Sequence, residues 1–149
     1  MAERGGVIQF RIGVNLGDIV IDGNDIFGDG VNVAARLEGV NKEFRTTICI
    51  SHSTFREAGE NLCVRPIDEV TVKGRRGLVP IYELMGAYGA GPELEPTPQV
   101  VRLAELTRGA HAVLLRHDRA GALEAYRAVL CEFPDDPVAQ VMVKRLTEG

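Results

Sequence analysis

Asn32 and Arg36 stand four residues apart in Val31–Val40, a stretch rich in helix formers. At ~100° per residue they project from one helix face, about 40° apart. One amide and one guanidinium would then converge. Such a pair suits a phosphoryl group whose charge grows during reaction, because arginine offers a planar fork of donors and stays ionised. Pre-placed donors of this kind can be worth about 10²–10³ each in rate. The preceding segment, Asp22 to Gly30, is polar and glycine-rich and feeds the helix N-terminus, where unsatisfied N–H groups and the helix dipole favour an anion. On pattern alone the same two residues also read as a capping neighbour and a solvated charge, the commoner meaning of each. Asp25 can equally be a turn residue, and Lys73, in Lys73-Gly74-Arg75-Arg76, a solvated hairpin charge. Asp18, Asp22 and Asp29 read as loop solvation rather than metal ligands. His111 and His117 read as surface helix residues with no acidic or cysteine partner at ligand spacing.

The elements that must position these groups follow from pattern. Val7–Leu16 reads as a largely buried strand, and Gly17-Asp18 turns into Ile19–Ile21, making a hairpin. The helix starts near Gly30. Thr46–Ile50 is a short β-branched strand, Ser51–Ala58 a capped brief helix and Cys63–Lys73 a strand. Gly74–Gly77 is a turn, and Val79–Leu84 a last strand that Pro80 places at a sheet edge. The order predicts an α+β fold with an antiparallel sheet. Residues 87–98 concentrate Gly and Pro and read as a linker between a domain at 1–86 and a helical tail at 99–149. In the tail, Val100–Arg116 is helical by composition. Leu123, Tyr126, Leu130 and Phe133 mark one face of a second helix, Pro134-Asp135-Asp136-Pro137 ends it, and Val138–Leu146 can form a third.

Composition narrows the function classes. The 149 residues carry 17 Lys plus Arg against 21 Asp plus Glu, a net charge of -4 that leaves no basic footprint for nucleic acid or an anionic membrane. Tryptophan is absent and aromatics are 5%, which removes the stacking surface of single-strand binders. No apolar run reaches the roughly 18 residues of a membrane span, and Met1–Gly6 has no apolar signal segment, so the expected location is cytoplasmic. Cys49, Cys63 and Cys131 are odd in number and lack metal-ligand spacing, which suits reduced core fillers.

The run Asp25-Ile26-Phe27-Gly28-Asp29-Gly30-Val31-Asn32-Val33-Ala34-Ala35-Arg36-Leu37-Glu38 closely resembles the signature of class III adenylate and guanylate cyclases, in which this Asp, Asn and Arg recur in a fixed frame. Arg11–Gly17 resembles the strand before it. Val72-Lys73-Gly74-Arg75 with Ile81-Tyr82-Glu83-Leu84 resembles the closing hairpin, so the match runs in order from Val7 to about Leu84. The resemblance implies a partial ferredoxin-like antiparallel sheet with helices; the tail that follows is expected to be a C-terminal helical hairpin. It implies that Asn32 orients the ribose, Arg36 stabilises the phosphoryl transition state, Lys73 reaches the triphosphate and Asp25 helps select adenine. A carboxylate at Asp25 can accept from an exocyclic amine, which guanine replaces by a carbonyl, so ATP is favoured over GTP. The implied reaction is attack of the ribose 3′-hydroxyl on the α-phosphate, giving a cyclic nucleotide and pyrophosphate.

The family uses Mg²⁺ or Mn²⁺, held by two aspartates on an N-terminal strand and a following hairpin. This chain begins after both, and after the family's base-contacting lysine. The expectation is a C-terminal half-domain, inactive alone, with no metal ligands of its own. Because family domains pair head to tail, the implied partner is a longer cyclase protomer or a second copy. In the tail, Ala122, Tyr126, Val129 and Pro134 match the spacing of the second helix of a tetratricopeptide repeat, although one unit is too few for a peptide-binding array. Packing on the preceding domain or on another copy is the expected role. The rival reading is a non-catalytic scaffold that associates through its sheet and C-terminal helices.

Overall fold

The computed structural model describes residues 11–15, 20–22, 25–27, 29–71 and 77–148, with backbone alone for 20–22, 25–27 and 29–32. Six strands and five α-helices appear among them: β1 (Ile12–Val14), β2 (Val20–Asp22), β3 (Asp25–Phe27), α1 (Asp29–Phe44), β4 (Ile48–Ser51), α2 (His52–Ala58), β5 (Leu62–Thr71), β6 (Leu78–Ala87), α3 (Pro98–Leu115), α4 (Arg119–Glu132) and α5 (Pro137–Glu148). The four-stranded sheet runs β1-β4-β6-β5, and β2 with β3 forms a separate hairpin.

The α+β class holds, but the pairing differs from the sequence reading in three respects. The sheet is mixed: β1 and β4 run parallel while the other neighbours are antiparallel. A parallel pair needs a crossover, and α1 lies within that connection. Second, Val20–Asp22 pairs with β3 rather than with β1, and the expected Gly17-Asp18 turn lies outside the described residues. The loop assigned to Asp25–Phe27 is thus half a hairpin. Third, Pro80 sits in β6, an inner strand. The β4 ladder ends at Ser51↔Ile81, so at Pro80 strand β6 is paired on the β5 side alone, with Glu69.

Helix α1 presents Val33, Leu37, Val40, Asn41 and Phe44 to the interior, all fully buried, while Ala35, Arg36, Glu38 and Gly39 face outward. That 3.6-residue stripe explains both the helix and its seat across β1 and β4. Arg45 ends it in the left-handed region at φ 57°. The C-terminal part is three helices, the third being the one that Val138–Leu146 was expected to form, and they join the sheet in one core. Tyr126, Val129, Val138, Met142 and Leu146 belong to the same buried cluster as Val33, Leu37, Phe44, Ile67 and Ile81. The Gly/Pro-rich connection is docked, since Ala87 N–H donates to Leu94 O at 2.8 Å and Gly89 N–H to Glu95 Oε1 at 3.0 Å. Thr97 then caps α3, accepting from Val100 N–H.

Two side-chain expectations are corrected. Cys49 and Cys63 are buried, but Cys131 is exposed on α4, because its position falls on the outer face there. His111 is half-buried rather than a surface residue; desolvation lowers its pKa, and its Nδ1 is buried with no partner among the described residues. No described helix is long and apolar enough to cross a membrane.

Candidate active site

The described site is built on α1, and α1 is built on Gly13. A Cβ at Gly13 would stand 2.6 Å from Ala34 O and 2.8 Å from Leu37 Cβ. Only glycine lets the helix backbone lie this close to β1. Asn41 fixes the same approach from the helix side: its Nδ2 donates to Ile12 O at 2.9 Å, and its Oδ1 accepts from Thr46 Oγ1 at 2.8 Å. Asn41 is fully buried, so these bonds replace water and set the helix register against the strand. Cys49 beneath them is inert filler, its thiol pushed up to about 12 by burial.

These contacts also fix direction. Asn41 meets Ile12 at the start of β1, whereas Ala34 meets Gly13 in its middle. The N-terminal turns of α1 therefore lie toward the carboxyl ends of the parallel strands β1 and β4. At that end Asn15, Ser51, Ser53 and Thr54 form a polar cluster, with Ser51 Oγ donating to Asn15 Oδ1 at 2.5 Å and Thr54 Oγ1 to Val14 O at 3.3 Å. The cluster ties the two strand ends together, and Ser51 caps α2.

Arg36 is exposed on the outer face of α1, with its guanidinium along the helix beside Gly39, where a Cβ would stand 3.4 Å from Nη1. Gly39 leaves that space open for the side chain. Asn32 lies one turn earlier on α1 and Asp25 opens β3, so backbone connectivity strings Asp25, Asn32 and Arg36 along one hairpin-to-helix unit. The side chains of Asp25 and Asn32 and all of Lys73 lie outside the described residues. Asp22 and Asp29 fall in β2 and α1, and Asp18 is not described. Among the described residues no group of three or more His, Cys, Asp or Glu is placed to hold a metal ion.

Sequence reasoning missed a buried ionic cluster. Arg65 on β5 donates through Nε to Glu83 Oε1 on β6 at 2.7 Å and through Nη2 to Asp136 Oδ1 at 2.8 Å. Its Nη1 donates to Asp136 Oδ2 at 3.0 Å, beside Thr107 Oγ1 of α3 at 3.4 Å. The side chains of Arg65 and Asp136 are both 3% exposed. Burial pushes the Glu83 carboxyl up against the pull of Arg65. The only local hint is a lone cation within the otherwise apolar run Leu62-Cys63-Val64-Arg65-Pro66-Ile67.

The close approach at Gly13 gives a first expected result. Gly13→Ala forces either the helix or the strand to move and should cost about 1–3 kcal/mol by overpacking. Gly109→Ala, in α3 where a Cβ meets nothing within 4 Å, should be neutral or stabilising by up to about 1 kcal/mol. Urea denaturation of the two variants checks the opposite signs. Equal effects would mean that α1 does not rest on Gly13.

Comparison with known proteins bears on the family of the chain. The profile of the adenylate and guanylate cyclase catalytic domain matches residues 1–86. Adenylate cyclase 1 of Rhizobium meliloti (strain 1021) is 38% identical over 63 residues, 42% of this chain and 10% of that protein. Putative adenylate cyclase 3 of the same strain is 64% identical over 33 residues, 22% of this chain and 6% of that protein. The adenylate cyclase of Anabaena cylindrica is 34% identical over 88 residues, 52% of this chain and 18% of that protein. The chain thus spans less than a fifth of the length of each of these relatives. No solved structure matches it.

Proposed function

Because the chain belongs to the adenylate and guanylate cyclase catalytic domain family, we propose that it supplies the α1 half of a site that converts ATP to cyclic AMP and pyrophosphate in intracellular signalling. The observation that carries this reading is α1 itself: a helix locked onto β1 through Gly13 and Asn41, presenting Arg36 outward one turn beyond Asn32. In the reaction the ribose O3′ forms a bond to the α-phosphorus, the bond from that phosphorus to the bridging oxygen of pyrophosphate breaks, and the 3′-hydroxyl proton is lost to solvent. Arg36 stabilises the charge gathering on the transferring phosphoryl oxygens, and Asn32 orients the ribose. Lys73 holds the triphosphate. Asp25 accepts from the adenine amine, and the relatives named adenylate cyclases support ATP over GTP on this chain.

We place the divalent cations of the complete site on a partner: a longer cyclase protomer. Purified chain with ATP and Mg²⁺ or Mn²⁺ should yield no cyclic AMP above a no-protein blank. Robust turnover would overturn that division of labour and direct attention to Asp18, Asp22 and Asp29.

A second reading is favoured by one specific feature. Among the described strands β1 is an edge of the sheet, and its Ile12 and Val14 are 46% and 37% exposed. An apolar edge strand is a pairing surface, which suits a scaffold that associates without catalysis. Nucleotide binding separates the two: the catalytic reading requires ATP to protect the 29–36 segment from hydrogen exchange in the mixed complex, and the scaffold reading requires assembly without it.

A further inference from the structure

The end of α1 away from Asn32 is gripped by α5. Three consecutive residues close the helix, and each meets that one partner. Glu43 pairs with Arg145. The buried Phe44 ring lies under the Arg145 guanidinium, 4.8 Å from its centroid. Arg45 donates through Nη2 to Gln140 Oε1 at 2.6 Å. Gln140 is itself fixed, its Nε2 donating to Pro134 O at 2.9 Å.

Helix α5 is in turn seated on the sheet. Arg145 reaches Asp68 of β5 at 3.3 Å. Asp136, just before α5, accepts from Ala139 N–H at 2.9 Å while holding buried Arg65. Arg119 of α4 donates to Arg145 O at 2.9 Å. An isolated exposed ion pair carries little energy; Arg145 differs because one guanidinium bridges two carboxylates and an aromatic ring on two other elements.

We infer that α5 is a positioning element for the reactive helix, with Gln140 and Arg145 as positioning residues that fix the terminal turn of α1 and, through it, the setting of Arg36. The inference rests on the reading of Arg36 as a transition-state donor. From Arg36 to Glu43–Arg45 is seven to nine residues, about 10–14 Å of rigid helix. The helix bears on β1 at Gly13 through Ala34, Leu37 and Glu38, on either side of Arg36. A rigid helix that slides along its axis or turns about it carries Arg36 with its terminal turn, and a displacement of ~1 Å at a reacting centre can cost about 10² in rate. No residue of α5 falls within 1–86, the stretch matched by the family profile. The C-terminal helices therefore bring this control to the catalytic unit from outside the family's own domain.

The test uses the full chain with the double substitution Gln140→Ala and Arg145→Met, which keeps the apolar stem over Phe44. Glu132→Ala is the control, since it breaks the exposed Arg102–Glu132 pair between α3 and α4 and touches nothing on α1. Hydrogen exchange is followed by mass spectrometry. Exchange across 37–45 should quicken about five- to ten-fold in the double variant and stay unchanged in the control, with β5 and β6 equally protected in both. In an assay mixed with a metal-carrying cyclase partner, the rate should fall about ten-fold or more with KM for ATP within about two-fold of wild type. Arg145→Lys should recover part of both. If 37–45 exchanges as in wild type while 137–148 loosens, α5 merely folds the tail and the inference is wrong. Should the double variant lose its fold, Gln140→Ala alone gives the same comparison. Arg36→Ala in the mixed assay separates the two claims: if it equals wild type, the catalytic reading fails, while the exchange result still decides the inference.

Discussion

Arg65→Met should remove about 3–5 kcal/mol of folding stability, the cost of leaving buried carboxylates without their cation. Among the described residues, Arg65 is the group that joins Glu83 on β6, Asp136 before α5 and Thr107 on α3. Methionine fills much of the same volume but supplies no donor. Asp136, with 3% side-chain exposure, would keep only the Ala139 N–H, and Glu83 would keep none of the bonds described for it. In a chain of this size such a loss lowers Tm by roughly 10 °C or more. The triple variant Arg65→Met, Glu83→Gln, Asp136→Asn should regain much of it, because neutral amides tolerate burial better than orphaned charges. Denaturant midpoints of the two variants check this. A single-variant loss below about 1 kcal/mol would mean that water already screens the cluster.

This cluster also marks what one sequence could and could not reveal. The helix at Val31–Val40 was legible because its buried positions repeat every three to four residues, and the strands around Ile48, Val64 and Ile81 because β-branched and apolar residues gather there. Strand direction was not legible, since alternation looks alike in parallel and antiparallel pairs; hence the missed β1–β4 pairing. Strand β3, and with it the β2–β3 pairing, hid in a segment whose glycines and aspartates read as loop. Pro80 misled because its meaning depends on where a neighbouring strand stops, at Ser51↔Ile81. The seat of the C-terminal helices depends on contacts such as Arg65–Asp136 and Arg145–Asp68, 71 and 77 residues apart, which leave no local period.

The candidate site divides the same way. The Asp25, Asn32 and Arg36 pattern was visible as types at a spacing. What holds the helix carrying it was not: Gly13 looked like an ordinary strand glycine, and Asn41 like a polar residue near a helix end. Each acts by making close approach possible or by satisfying a buried carbonyl, roles that only the packed structure displays.

The most direct measurement is complementation of a partner that lacks this helix chemistry. A homologous full-length cyclase with its metal aspartates intact, but with the residues equivalent to Asn32 and Arg36 replaced, is mixed with this chain, and cyclic AMP is followed from ATP with Mn²⁺. Arg36 would add its guanidinium to a phosphate already held across the interface, so activity absent from either protein alone should appear in the mixture. Arg36→Ala should lower the restored rate by about 100-fold or more, as loss of one pre-placed donor does. On its proposed role in holding the triphosphate, Lys73→Ala should chiefly raise KM if that contact is made equally in ground and transition states. Restored activity that falls by this factor with Arg36→Ala, while binding to the partner stays the same by sedimentation, is the result the account predicts. Equal activity of wild type and Arg36→Ala, or no activity from a demonstrably formed complex, would contradict it.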